Sequence, residues 1–141
     1  MIQPVSRYFR KNNRSRFCNT YENKSCKLCF GKYGIQAIEK GYLTVEQIEA
    51  VRRTISSPLK RKGKVWIRAY PDSPHTSKPK EVRIGRGKGN VDFWFCHVKP
   101  GRILFEIDVS RRKTAVLKST FRFALIKLPI KAQIISRNLI N

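Results

Sequence analysis

Acidic residues are scarce in this chain: nine Asp and Glu stand against 31 Lys and Arg, leaving a formal charge of +22 on 141 residues. A soluble domain of this size ordinarily carries a net charge of about 2–8. An excess on the observed scale repels itself unless counterions or a bound polyanion offset it. The scarcity of acids and imidazoles also thins out catalysis. Asp92, Glu106, Asp108, His75 and His97 form no spacing that predicts a general acid and base or a two-metal site. No run of 18 or more apolar residues is present, so no helix of this sequence is built to span a bilayer. Cations spread over loops, helices and strands, rather than along one amphipathic face, fit a nucleic acid better than a membrane surface. The glycines of G-R-G-K-G lack the spacing of a P-loop or a dinucleotide fingerprint, which leaves nucleotide hydrolysis and any small-molecule substrate unsupported.

What the chain does have is concentrated basic segments. The stretch from His75 to Gly89 carries Lys78, Lys80, Arg83, Arg86 and Lys88 against one acid, Glu81. Gly85, Gly87 and Gly89 remove Cβ atoms from it, which permits positive φ and lets backbone N–H groups approach phosphate. Arg83 and Arg86 suit bidentate phosphate contact, and Lys88 a point-charge contact. Residues 1–27 contain Arg7, Arg10, Lys11, Arg14, Arg16, Lys24 and Lys27 with few apolar side chains. They read as a basic arm ordered against an RNA partner, the alternative being a targeting peptide. Residues 28–141 read as one α+β domain, long enough to bury a core.

Within that domain, Leu28, Phe30, Tyr33, Ile35 and Ile38 suggest a strand interrupted at Gly31 and Gly34. Thr44 and Gln47 match a capping box, after which Val45, Ile48, Val51, Ile55 and Leu59 recur at helical spacing. The other face of this helix carries Arg52 and Arg53, and Lys60, Arg61 and Lys62 end it before Gly63, a suitable residue for the position after the cap. One or two cations complement a helix C-terminus in any protein. The surplus, with Lys64 and Arg68, points to phosphate. Val65, Ile67 and Ala69 alternate with Trp66, Arg68 and Tyr70 as a strand, which Pro71 ends in a turn at Asp72 and Ser73.

Residues 91–98 form another strand, and Lys99-Pro100-Gly101 is expected to fold it as a hairpin onto residues 102–109. Ser110 is a candidate cap for a second helix whose apolar face is Ala115, Val116, Phe121, Ala124, Leu125 and Leu128, with Pro129 as its stop. Residues 130–135 add a last strand. The expected architecture is an antiparallel sheet packed with two helices, extended by the basic arm and the long basic Gly-rich loop.

Among the aromatics, core packing is expected over base stacking for about half, with Phe93 and Phe95 on one strand face and Trp94 on the other. Trp66 is the best base-stacking candidate, being opposite Val65 and Ile67. Cys26-Lys27-Leu28-Cys29 is a CxxC pair with Cys18 upstream. A zinc site there would need a fourth ligand such as Cys96, His75 or His97, and no second CxxC exists, so the expectation is no metal and no cofactor.

Taken in order, C-F-G-K-Y-G-I-Q-A, L-T-V-E-Q-I-E-A-V-R-R, G-K-V-W-I-R, P-D-S-P, K-P-K-E-V-R-I-G-R-G-K-G-N, V-K-P-G-R-I-L-F-E and K-L-P-I-K resemble one family over nearly the whole chain, down to M-I-Q-P and F-R-K near its start. It is the bacterial-type large-subunit ribosomal protein L-sixteen family. The resemblance implies a structural, non-enzymatic role on large-subunit rRNA near the central protuberance, among neighbouring ribosomal proteins. It implies that Arg83 to Gly89 reach towards tRNA and the peptidyl-transferase region, and that Arg7 to Arg16 lie among RNA helices. A free nucleic-acid-binding regulator is the alternative function, followed by an RNA-processing enzyme. Abundant Ile, scarce Ala, and Phe121, Phe123 and Ile126 in a helix where the family usually has small residues suggest drift in an organelle genome. The match starting at Met1 is read as leaving no room for a cleaved presequence. The expected location is the mitochondrial matrix, with organelle encoding; a plastid or bacterial cytoplasm are the alternatives.

Overall fold

A computed structural model describes Pro4 and residues 11–13, 20–60, 63–109 and 114–137. Seven strands and two helices are present among them: β1 (Tyr33–Ala37), β2 (Gly41–Thr44), α1 (Val45–Leu59), β3 (Gly63–Ile67), β4 (Ser73–Ser77), β5 (Asn90–Val98), β6 (Ile103–Val109), α2 (Thr114–Ile126) and β7 (Ala132–Ser136). The α+β class holds, but the strands divide into two antiparallel sheets, ordered β3-β6-β1-β7 and β2-β5-β4.

The hairpin expected between residues 91–98 and 102–109 is corrected by this division. The turn itself forms, with Arg102 N donating to Lys99 O at 3.2 Å and Gly101 at φ 85°. However, Gly101 N donates to Ala37 O and Ala37 N donates to Arg102 O, so the chain leaves β5 and enters the other sheet beside β1. A turn signal fixes reversal of the chain, not the partner of the strand that follows. The reason lies in β6, whose residues Ile103 to Ile107 are all buried. A strand buried on both faces needs a central position, and β6 takes one between β1 and β3.

Two short strands escaped the sequence pattern. β2 is only four residues long, and β4 carries Pro74, which an edge strand tolerates because one side of its backbone needs no ladder partner. The strand expected from Leu28 starts only at Tyr33. Residues before it form a loop in which Gly31 passes so close to β6 that a Cβ would lie 2.7 Å from the Ile107 backbone.

The capping box of α1 is present: Thr44 Oγ1 accepts from Gln47 N at 3.4 Å, and Gln47 Oε1 accepts from Thr44 N at 3.0 Å. Ile48, Val51, Ile55 and Leu59 are its buried stripe. Its C-terminal device differs from the expected glycine. Lys60 itself takes the left-handed conformation at φ 44° and donates its N–H to Ser57 O, whereas Gly63 opens β3. A Cβ on Gly63 would meet Val109 at 2.8 Å, so this glycine serves strand packing.

In α2, Leu117, Phe121 and Ala124 are buried and join Leu128 in the same core as α1 and both sheets. Phe123 and Ile126 are exposed. Ser110 and the side chains of Ala115 and Val116 lie outside the described residues. The final strand forms as expected, β7 pairing with β1.

Candidate nucleic-acid interface

The basic loop emerges where two strands force it out. β4 and β5 are hydrogen-bonded neighbours, so residues 78–89 form the long loop of a single hairpin, and residues 78–88 are all exposed. Gly85 and Gly87 have φ of 111° and 83°, and nothing lies within 4 Å of a Cβ built on either. They serve conformation alone in open space. Gly89 has the opposite reason: a Cβ there would lie 2.0 Å from Ser77 O, so it lets the returning strand close on β4. Arg86, between the two open glycines, also has positive φ, at 52°. The loop is tied within itself by Lys78 Nζ donating to Gly85 O at 2.5 Å and by a turn from Val82 N to Pro79 O. Arg83 and Arg86 project with Ile84, which is wholly exposed.

Arm and loop meet. Lys11 Nζ donates to Lys88 O at 3.1 Å, and Lys88 Nζ donates to Asn12 O. Sequence reasoning picked out both segments without any signal that they touch. Arg7, Arg10, Arg14, Arg16, Arg61 and Lys62 lie outside the described residues.

Arg68 has a different setting from the other cations. Glu106 is completely buried on the face of β6 turned away from Phe105 and Ile107, and it accepts from the backbone N–H of Cys29 at 3.1 Å, Phe30 at 2.7 Å and Gly31 at 2.8 Å. Arg68 Nη1 completes the set, 2.5 Å from Glu106 Oε1 and 2.9 Å from Lys27 O. Burial alone would raise this carboxyl. The Gly31 N–H, the Arg68 guanidinium and the Phe30 N–H outweigh it and hold Glu106 below the usual carboxylate range. Arg68 is thereby committed to an internal anion, with its side chain only 17% exposed.

The same anchor builds an aromatic step. Phe30 stacks on Trp66 with centroids 6.0 Å apart and 22° between planes, and the Arg68 guanidinium carbon sits 5.8 Å from the Phe30 centroid. Trp66 is half-buried beneath, while Phe30 is 59% exposed. The ring presented for stacking is therefore Phe30, which sequence reasoning placed in a strand; the Cys-Phe-Gly run before β1 was the only available sign of it.

On α1, Glu49 gathers both arginines: Arg52 Nε and Nη2 donate to it at 2.8 and 2.7 Å, and Arg53 Nε at 2.9 Å. These bonds, Arg52 foremost, lower the Glu49 pKa to about 2. Arg52 and Lys60 line a groove of about 400 Å³ at the end of the helix. Lys64 is exposed on β3, opposite Asp108, which Lys32 approaches at 3.3 Å.

The aromatics of β5 divide between its two faces as expected. Cys96 and Val98 face the core, so Phe93, Phe95 and His97 share the outer face and are only half-buried. Phe93 and Phe95 do share a face, 6.3 Å apart, as the period of two requires. The side of the strand that reaches the core is the one carrying Trp94.

Cys26, Cys29 and Cys96 are free thiols, the last one buried and with its pKa raised by that burial. Cys26 Sγ and Cys29 Sγ contact the carbonyls of Asn23 and Lys27. Among the described residues no three His, Cys, Asp or Glu side chains form a metal-binding group, and Cys18 lies outside them. No helix of the described residues is long and apolar enough to cross a membrane.

The family model "Ribosomal protein L16p/L10e" matches residues 4–135. The chain is 46% identical over 141 residues to the large ribosomal subunit protein uL16 of Buchnera aphidicola subsp. Cinara cedri, covering 97% of this chain and 98% of that protein. Similar proteins of the same name occur in Chelativorans sp. strain BNC1, at 47% over 137 residues, and in Acinetobacter baumannii, at 46% over 138 residues, with the same shares covered.

Proposed function

Because the chain belongs to the ribosomal protein L16p/L10e family and is a structural constituent of the large ribosomal subunit, not an enzyme, we propose that its basic loop and arm form one RNA-binding front near the central protuberance, with the loop tip directed to tRNA. Family membership implies ribosomal RNA and neighbouring ribosomal proteins as partners. The observation that carries the finer reading is the loop itself: five cations against one acid, wholly exposed, on a backbone opened by Gly85 and Gly87. Flexible arginine and glycine segments enter folded RNA by backbone shape, which a flat sheet does not. Lys11 and Lys88 hold the arm to the base of the loop, so both deliver charge to the same side.

The test is a photocrosslinking amino acid in place of Ile84, chosen because that side chain touches nothing the fold depends on. Irradiated ribosomes are expected to give crosslinks to large-subunit rRNA, and to tRNA when tRNA is bound. Crosslinks confined to ribosomal proteins would refute the tRNA-facing role.

Location in mitochondria is part of the same proposal. It is supported by the abundance of Ile over Ala and by the apolar Phe123 and Ile126 on the exposed side of α2. The relatives named above are bacterial. Gradient sedimentation of lysed, purified mitochondria is expected to find the chain with large subunits. Its absence from that organelle would return it to a plastid or to bacterial cytoplasm.

A further inference from the structure

The outer face of β5 is an aromatic floor with a cationic rim, and nothing in the loop-and-arm reading uses it. Phe93 and His75 stack face to face, with centroids 4.5 Å apart and 12° between planes. Phe95 meets His97 edge-on at 4.9 Å and Tyr42 edge-on at 5.7 Å. Between this floor and residues 12–13 of the arm lies an open cavity of about 530 Å³, bounded by His75, Phe95, His97, Asn12, Asn13 and Lys88. That volume is in the range of roughly 300–1,000 Å³ typical of small-ligand sites.

We propose that this cavity holds one unstacked nucleotide of ribosomal RNA, its base on the Phe95 and His97 floor and its phosphate towards Lys88 and Lys11. The inference rests on the RNA-binding reading above and adds a base-holding site to it. Two observations favour RNA as the occupant, the rim cations and the amides of the wall. The rim cations Lys88 and Lys11 have their ammonium groups on backbone carbonyls, of Asn12 and Lys88, so their positive charge is solvated but not cancelled. The lining also holds one carboxylate, Asp72, whose charge the Ser73 hydroxyl solvates in the same way without cancelling it. The lining also carries the amides of Asn12 and Asn13, so a base edge would find both donors and acceptors. Single-stranded RNA is recognised in this way, by stacking on aromatic and histidine rings with hydrogen bonds to base edges.

The experiment uses the full chain and two probes: a short single-stranded RNA with 2-aminopurine at one central position, and a structured large-subunit rRNA fragment. Wild type is expected to quench the 2-aminopurine on binding. The double variant Phe95→Leu, His97→Leu is expected to weaken that binding about tenfold, the order expected for one lost stacking contact. Its salt slope should not change, because no phosphate contact is removed. Phe95→Leu alone serves as the second variant if the double change unfolds the protein. Tight binding of the structured fragment without quenching, or with affinity for the short RNA unchanged in the variants, overturns the site and leaves RNA binding standing. A variant that keeps both RNA affinities but loses association with neighbouring ribosomal proteins assigns the face to a protein and overturns the site equally. Failure of wild type to bind the structured fragment brings down the parent reading and the site with it.

Discussion

Replacing Glu106 with Gln is expected to lower the free energy of unfolding by about 3–5 kcal/mol, the cost of breaking a buried ion pair by removing one partner. The carboxylate takes three backbone N–H groups and one guanidinium. An amide of the same shape brings its own NH₂ group into a nest of donors and leaves Arg68 uncompensated. Urea unfolding checks this through a lower midpoint at unchanged slope. Arg68→Met should lose less than Glu106→Gln, because the backbone donors remain to hold the anion. The effect depends on pH with a definite sign. Glu106 titrates below its unfolded value in the folded chain. Its contribution is therefore fully present above the ordinary carboxylate pKa and is lost as the pH falls through the lowered one. The Gln variant should lack that part of the acid limb, so the two proteins converge in stability as the solution is acidified.

Changing Arg83, Arg86 and Lys88 together to Gln should leave the fold intact and cut affinity for large-subunit rRNA by about two orders of magnitude at low salt. The three side chains are exposed and none makes a core contact. If each meets a phosphate, the slope of log affinity against log salt should become shallower by roughly 2–3. Filter binding across a salt series measures both quantities. Ribosomes carrying the triple variant should show impaired tRNA handling or late large-subunit assembly. An unchanged slope would take the loop out of the RNA-binding front.

The parts of the fold governed by local chemistry were legible in the sequence. Thr44 and Gln47 announced the start of α1 because a capping box is complete within four residues, and the stripe from Ile48 to Leu59 followed from helical periodicity. What could not be read was pairing between distant segments. Glu106 in an alternating strand looks like a solvent-facing acid, and only the loop at residues 29–31, some 75 positions away, makes it the most buried charge described. The same limit hid the division into two sheets and which side of Phe93, Trp94 and Phe95 is covered. Those residues alternate correctly, but the identity of the covered face depends on where α1 and α2 pack. Within the candidate interface, Lys78 to Lys88 were visible as composition. Phe30 and the meeting of Lys11 with Lys88 were not, since both arise from long-range contacts.

The loop on Glu106 also decides when residues 22–31 become ordered. Besides residues 29–31, Glu22 N donates to Pro100 O at 2.9 Å and Ile103 N donates to Ser25 O at 2.9 Å, so residues 22–31 are fastened along the entry to β6. Ordering entropy for this stretch is therefore spent during folding, before any RNA arrives.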